Sequence, residues 1–255
     1  MSSFQALRIQ YSSLLKRFLT SIKDFETRPS IPPPRAHLRI ASTALLENPK
    51  PRPRLLLLLA TQNADKPSKP ASFEDRLVMM ELFARDLRAH LESSPAFAGS
   101  GFTHGIETLP LIDIGVTKKP YFVDKAAAIE ASGSYPVALE QVHLTGYDTL
   151  IRILDPKYYP PEHTLKPLEP FLSKHRLRVT MRPSDEGDRD GEGMRREWAE
   201  RIQLVDGRAP TERAVSSTRA REASKTAPRN LDWLVPEQVR QFVLSEHPYS
   251  EDSKV

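Results

Sequence analysis

The chain has 255 residues, enough to bury one sizeable core or at most two, and its 23 prolines predict long irregular connections. It has no cysteine, which excludes disulfides, thiolate nucleophiles and cysteine-held metals. A formal net charge of +4 suits polyanionic small molecules and is too mild to argue for nucleic acid. Met1–Gln10 does not read as a signal peptide, and no apolar run, Leu55–Leu59 included, reaches membrane-spanning length. The expectation is a soluble protein of the cytoplasm or nucleus, with no membrane partner and an oligomeric state the sequence does not fix.

From the amino terminus, Phe4 to Phe25 carries Leu7, Leu14, Leu15, Phe18 and Ile22 at the spacing of an amphipathic helix. This helix and its linker, residues 1–28, precede a main domain over 29–255. Asp24-Phe-Glu-Thr-Arg28 is polar and Pro29 is poor strand material, so no strand is expected there. Pro29–His37 leads into a predicted helix over Leu38–Leu46. A histidine just inside a helix start can donate to a phosphate, and Arg35 and Arg39 surround His37 with positive charge. Taken alone, His37 fits a routine helix residue as well. Arg54–Thr61 is a continuous apolar run that reads as a buried parallel strand. The loop after it, Gln62–Pro67, lies where ligands bind in open α/β sheets. Lys66 there is placed to reach a phosphate or to remain a solvated loop lysine. Ser72 to His90 is a helix with Ser72 as cap and Phe73, Leu77, Met80 and Phe83 on its core side. A linker over Glu92–His104 precedes a strand at Leu109–Ile114, the loop lysines Lys118 and Lys119, and a helix at Val123–Ala131.

A partly apolar strand from Pro136 ends at Gly146-Tyr-Asp148. Glycine lets backbone approach a ligand closely, and a carboxylate accepts hydrogen bonds from ribose hydroxyls. The pattern also describes many ordinary turns. Leu165–His175 reads as a helix, Arg176–Arg182 and Ile202–Val205 as strands, and residues 183–193 as a mobile acidic loop without the ligand spacing of a calcium site. Then comes Val215-Ser-Ser-Thr-Arg-Ala-Arg221. Ser216, Ser217 or Thr218 can cap a helix whose free N–H groups and dipole favour phosphate, and Arg219 and Arg221 add forked donors. By spacing alone an ordinary capped surface helix with solvated arginines is the favoured reading. A helix over Pro236–Tyr249 closes the chain.

Strands and helices alternate from Ala41 onward, which predicts an α/β fold with a mainly parallel sheet and flanking helices. Several stretches resemble nicotinamide mononucleotide adenylyltransferases, within the nucleotidyltransferase superfamily, and their fungal branch in particular. Val215-Ser-Ser-Thr-x-x-Arg221 is similar to their Ile-Ser-Ser-Thr-x-x-Arg signature. Gly146 to Tyr159 looks like their Gly-x-Asp-Thr-x-x-Arg-x-x-Asp-x-Lys-Tyr-Tyr block, and Leu234-Val-Pro through Tyr249 resembles their ending. Pro32–His37 resembles the tail of the His/Thr-x-Gly/Ala-His motif, with His37 as its second histidine. Ser30-Ile31 stands where Phe-Asn would be, and Pro34 replaces the first His or Thr.

The resemblance spans Pro29 to Tyr249 and implies a Rossmann-like nucleotidyltransferase fold, its first strand apparently absent. Either the sheet is rebuilt from other material or the chain is a shortened version of an active enzyme. The implied chemistry is adenylyl transfer from ATP, with Mg²⁺, to nicotinamide mononucleotide, giving NAD and pyrophosphate. By the same resemblance His37 and Arg221 are catalytic. Arg35, Ser216, Ser217, Thr218 and Arg219 hold ATP phosphates, Gly146 and Asp148 its adenosine side, and Lys66 contacts substrate. The alternative is an impaired or ATP-hydrolysing relative that works through protein interactions. A cytidylyl or pantetheine-phosphate transferase shares the fold.

Overall fold

The computed structural model describes residues 2–29, 40–41, 43–45, 54–62, 71–93, 110–136, 139–181, 198–207 and 215–250. In chain order its elements are α1 (Ser3–Thr20), β1 (Phe25–Pro29), β2 (Arg54–Ala60), α2 (Phe73–Glu92), β3 (Leu111–Thr117), α3 (Phe122–Ala131) and β4 (Val142–Gly146). These are followed by α4 (Tyr147–Ile153), α5 (Leu168–Lys174), β5 (Arg176–Met181), β6 (Ile202–Asp206), α6 (Ser217–Thr226), α7 (Leu231–Leu234) and α8 (Glu237–Glu246). Residues 40–41 and 43–45 are also helical. The class is the expected one: α/β, Rossmann-like, with parallel strands and flanking helices. The described strands form two three-stranded sheets, and the chain divides into two compact units, Met1–Lys118 with Ala214–Val255, and Lys119–Arg213. No helix among the described residues is long and apolar enough to cross a membrane.

In the first unit the strand order is β1-β3-β2. The leucine strand β2 runs parallel to β3, with Leu57 opposite Ile114. Phe25–Pro29, read above as too polar for a strand, does form one, antiparallel to β3 and in register from Phe25↔Thr117 to Pro29↔Asp113. A strand at the end of a sheet tolerates charge and proline, and here Phe25 is buried while Pro29 sits last. Gly115 makes room for this packing: a Cβ there would come within 2.9 Å of Leu56 Cδ1 and 3.0 Å of Phe25 Cε2.

Helix α1 opens with a capping box, Ser2 Oγ accepting from the Gln5 N–H at 3.2 Å while Gln5 Oε1 accepts from the Ser2 N–H at 3.1 Å. It stops at Thr20, short of the expected Phe25, because Ser21 turns both its N–H and its hydroxyl back onto the Phe18 carbonyl. Lys118 then locks the end: its ammonium donates to the Ser21 carbonyl at 2.5 Å and lies over the Phe18 ring. This residue, one of the two loop lysines of the sequence, holds α1 to the end of β3. Tyr11, Leu15 and Phe18 join Leu77, Leu82, Leu87, Ile112 and Phe242 in the core of this unit. The Tyr11 hydroxyl donates to Glu81 Oε2 at 2.8 Å, and burial, with Glu81 beside it, pushes the phenol pKa up. Arg8 ties three helices together, donating to Asp75 at 2.7 Å and to Glu246 at 3.1 Å.

In the second unit β4, β5 and β6 are all parallel, in that order. Leu168, Phe171, Leu172, Leu177, Val179, Trp198 and Ile202 form its core. Strand β4 is shorter than expected, starting at Val142, and it runs directly into α4, which the sequence pattern did not announce. The predicted acidic loop 183–193 lies outside the described residues.

Candidate functional site

The start of α6 is built from its serines. Ser216 is the N-cap, extended at φ −146° and ψ 155°, and its Oγ accepts the Arg219 N–H at 3.2 Å. Such a cap contributes about 1 kcal/mol. Of the three hydroxyl residues expected to serve, Ser216 does so. Ala220 and Ala223 are buried and set which face packs, while Ser216, Ser217, Thr218 and Arg219 are exposed. Arg221, half-buried, turns back along the helix and donates from Nη2 to Thr218 Oγ1 at 3.1 Å. No acidic residue occupies the first turn, so nothing there offsets the positive end of the helix dipole. Hydroxyls, a guanidinium and backbone donors thus meet on one exposed face, which is the chemistry that binds phosphate oxygens.

Arg221 has a neighbour that sequence reasoning passed over. Burial raises the pKa of Tyr249, whereas Arg221 and Arg76 lie close enough to pull it down. The Tyr249 hydroxyl donates to Met79 Sδ at 3.3 Å, which fixes it against α2. The resemblance had marked Tyr249 only as part of a structural ending, and Arg76 reads in the sequence as one more helix arginine.

Gly146 and Asp148 belong to the second unit. Gly146 ends β4 and stands at the cap position of α4, at φ −94° and ψ 164°, which any residue adopts. A Cβ built on it meets nothing within 4 Å, so neither packing nor backbone conformation demands glycine there. The open space is what a ligand lying against the backbone would use. Asp148 is exposed on the first turn of α4. The rest of the block is framework. Leu150 and Ile153 are buried, and Asp155 caps the short helix Pro156–Tyr158 through the Lys157 N–H at 3.1 Å. The Tyr159 hydroxyl donates to the Ile153 carbonyl at 2.7 Å, closing the end of α4.

Beneath β4 lies a second feature that residue types alone did not expose. The His143 ring packs among Phe122, Phe171 and His175, and its Nε2 is shut from solvent without a hydrogen-bond partner. Burial, with His175 and Lys125 nearby, pushes its pKa down to about 3.

His37, Arg35 and Lys66 lie outside the described residues. The structure therefore gathers Ser216, Ser217, Thr218, Arg219 and Arg221 at one helix start, and Gly146 with Asp148 at another. A cavity of about 160 Å³ opens between α1, β1 and β3, walled by Leu14, Phe18, Ile114 and Val116 with Arg17 and Arg28 at its edge. It contains none of the predicted site residues. Among the described residues, no group of three or more His, Cys, Asp or Glu side chains is placed to hold a metal ion.

No protein-family model matches the chain. A protein of Schizosaccharomyces pombe named "Putative nicotinamide mononucleotide adenylyltransferase" is 31% identical over 232 residues, which cover 86% of this chain and 82% of that protein.

Proposed function

The chain belongs to the nicotinamide mononucleotide adenylyltransferase-like family, and from that premise we propose that it transfers the adenylyl group of ATP to nicotinamide mononucleotide. In this reaction a phosphate oxygen of the mononucleotide attacks the α-phosphorus of ATP. The bond from that phosphorus to the bridging oxygen breaks, its electron pair leaves with pyrophosphate, and NAD is the other product. No covalent enzyme intermediate and no nucleophilic side chain are required. The demand is for positioning and for stabilising negative charge as it moves onto the leaving phosphates.

The observation that carries this reading is the exposed start of α6, where Arg221 sits on Thr218 beside a Ser216-capped first turn that holds no acidic residue. Arg221 and Arg219 would neutralise the β- and γ-phosphates while Ser217, Thr218 and first-turn N–H groups donate to their oxygens. Gly146 would leave room for the adenosine, with Asp148 accepting from the ribose. His37, Arg35 and Lys66 keep the roles that the resemblance implies. Mg²⁺ would enter on the substrate as MgATP, and no step is routed through it.

The test is NAD formation from MgATP and nicotinamide mononucleotide by the purified chain, read through a coupled dehydrogenase. Activity that falls on Arg221→Met supports the proposal. ATP breakdown without NAD would replace it with the hydrolysing relative.

A further inference from the structure

The cavity beside α1 and β1 has no part in the proposed reaction and shares no residue with the start of α6. Its volume of about 160 Å³ is close to the ~150 Å³ that takes a single benzene ring. Leu14 and Phe18 of α1 and Ile114 and Val116 of β3 supply apolar wall, and Phe18 and Ile114 are buried. Walls of this kind favour a compact apolar group over water.

The polar side chains around the cavity differ in how they are matched. The Tyr11 hydroxyl donates to Glu81 at 2.8 Å, and the Thr27 hydroxyl to the Ile114 carbonyl at 3.3 Å. Arg17 donates to Glu26 at 2.7 Å, so those two charges offset each other. Arg28 has a neutral partner instead. With the Gln10 amide turned to present its oxygen, the Arg28 Nη1 and Nη2 donate to it at 2.6 and 3.0 Å. Among the described residues no carboxylate pairs with Arg28. The cavity therefore joins apolar walls to one guanidinium whose charge no neighbour cancels. A guanidinium takes a planar carboxylate through two parallel bonds, each stronger than a bond to an amide oxygen.

We propose that this cavity binds a small aromatic carboxylate, with the ring inside and the carboxylate on Arg28 in place of the Gln10 amide. The site is separate from the adenylyl-transfer reading and does not rest on it. Its occupant would tie α1 to β1, since the ring fills the space that their side chains enclose.

The experiment titrates the full chain with sodium benzoate, and with benzyl alcohol as the neutral analogue, and follows the Ile, Leu and Val methyl signals by NMR. Benzoate is expected to shift the Leu14, Ile114 and Val116 methyls saturably, with a dissociation constant of about 1 mM. Benzyl alcohol should bind roughly tenfold more weakly. Arg28→Gln should weaken benzoate roughly tenfold and leave benzyl alcohol unchanged, which a merely loosened cavity would not do. Leu14→Trp, which fills the cavity, should abolish binding of both. If Leu14→Trp does not fold, Arg28→Gln carries the test, because Arg28 is exposed and its replacement leaves the walls intact. Equal affinity for benzoate and benzyl alcohol would overturn the inference, and so would unaltered benzoate affinity in Arg28→Gln. Shifts that do not saturate, or that are confined to methyls away from the cavity, would overturn it too. NAD formation is measured separately, so each of these failures leaves the proposed function standing.

Discussion

The start of α6 and the block from Gly146 to Tyr159 both carry the family resemblance, yet the structure uses them differently. In α6 three of the residues that resemble the family, Ser216, Ser217 and Thr218, are exposed, while the helix is held by the Ser216 cap and the buried Ala220 and Ala223. In the longer block some of the matching residues hold the chain together. Tyr159 ties down the Ile153 carbonyl and Asp155 caps a short helix, while Leu150 and Ile153, between the matching positions, fill the core. Gly146 has open space where a Cβ would be, and Asp148 is exposed on the first turn of α4, as Arg152 and Lys157 are further on. A long specific match can therefore identify a family through its framework, while a short one carries the chemistry.

The comparison breaks most easily at Arg221. Arg221→Met should lower kcat/KM for NAD formation by roughly 10²–10³-fold. Its thermal midpoint should barely move, since substitutions away from the core stay within about 0.5 kcal/mol. A large midpoint shift would place Arg221 among the framework residues instead.

Acid should separate the two regions next. In the folded second unit the His143 imidazole is pushed from its ordinary 6.5 down to about 3, chiefly by burial, with His175 and Lys125 adding to it. Burial lowers His175 as well, against the opposing pull of Glu130. Below about pH 6.5 the unfolded chain takes up the proton and the folded one does not. The stability present above that pH is therefore lost progressively toward pH 3, by up to ~1.4 kcal/mol per pH unit for His143. Chemical denaturation between pH 7 and 4 should show this loss, and His143→Phe should flatten it. An unchanged slope in that variant would mean that the ring does not remain neutral in the folded chain.

Smaller effects sharpen the division. Tyr159→Phe removes one hydrogen bond and should cost about 1 kcal/mol, a midpoint lower by roughly 2–4 °C, with kcat/KM unchanged. Asp148→Asn should do the opposite, raising KM for ATP about threefold to tenfold at constant midpoint, as the loss of one charged hydrogen-bond acceptor predicts. Steady-state kinetics alongside thermal melts on both variants would decide it.

How far the sequence reaches can be judged element by element. Strand β2 and helices α2 and α6 were legible because each carries a strong local signal: uninterrupted leucines, a Ser72 cap and a Ser216 cap whose Oγ atoms take the expected N–H bonds. Strand β1 was not, because its stability comes from pairing with a β3 that lies 87 residues away, as at Thr27 and Ile114, and not from its own composition. The two separate three-stranded sheets also depend on non-local pairing, which alternating periodicity cannot supply. At the site, the Ser-Ser-Thr-x-x-Arg spacing told which side chains share a helix start. It could not tell that Tyr249 would set its hydroxyl on Met79 of α2, because no local pattern links the two.

The most direct test is a crystal structure of the chain with Mg²⁺ and an ATP analogue whose α–β bridge is a methylene. The account predicts terminal phosphate oxygens at hydrogen-bond distance, about 3 Å, from the Arg221 guanidinium and from first-turn N–H groups of α6. A triphosphate bound elsewhere, with the face of Ser217, Thr218 and Arg221 left to solvent, would contradict it.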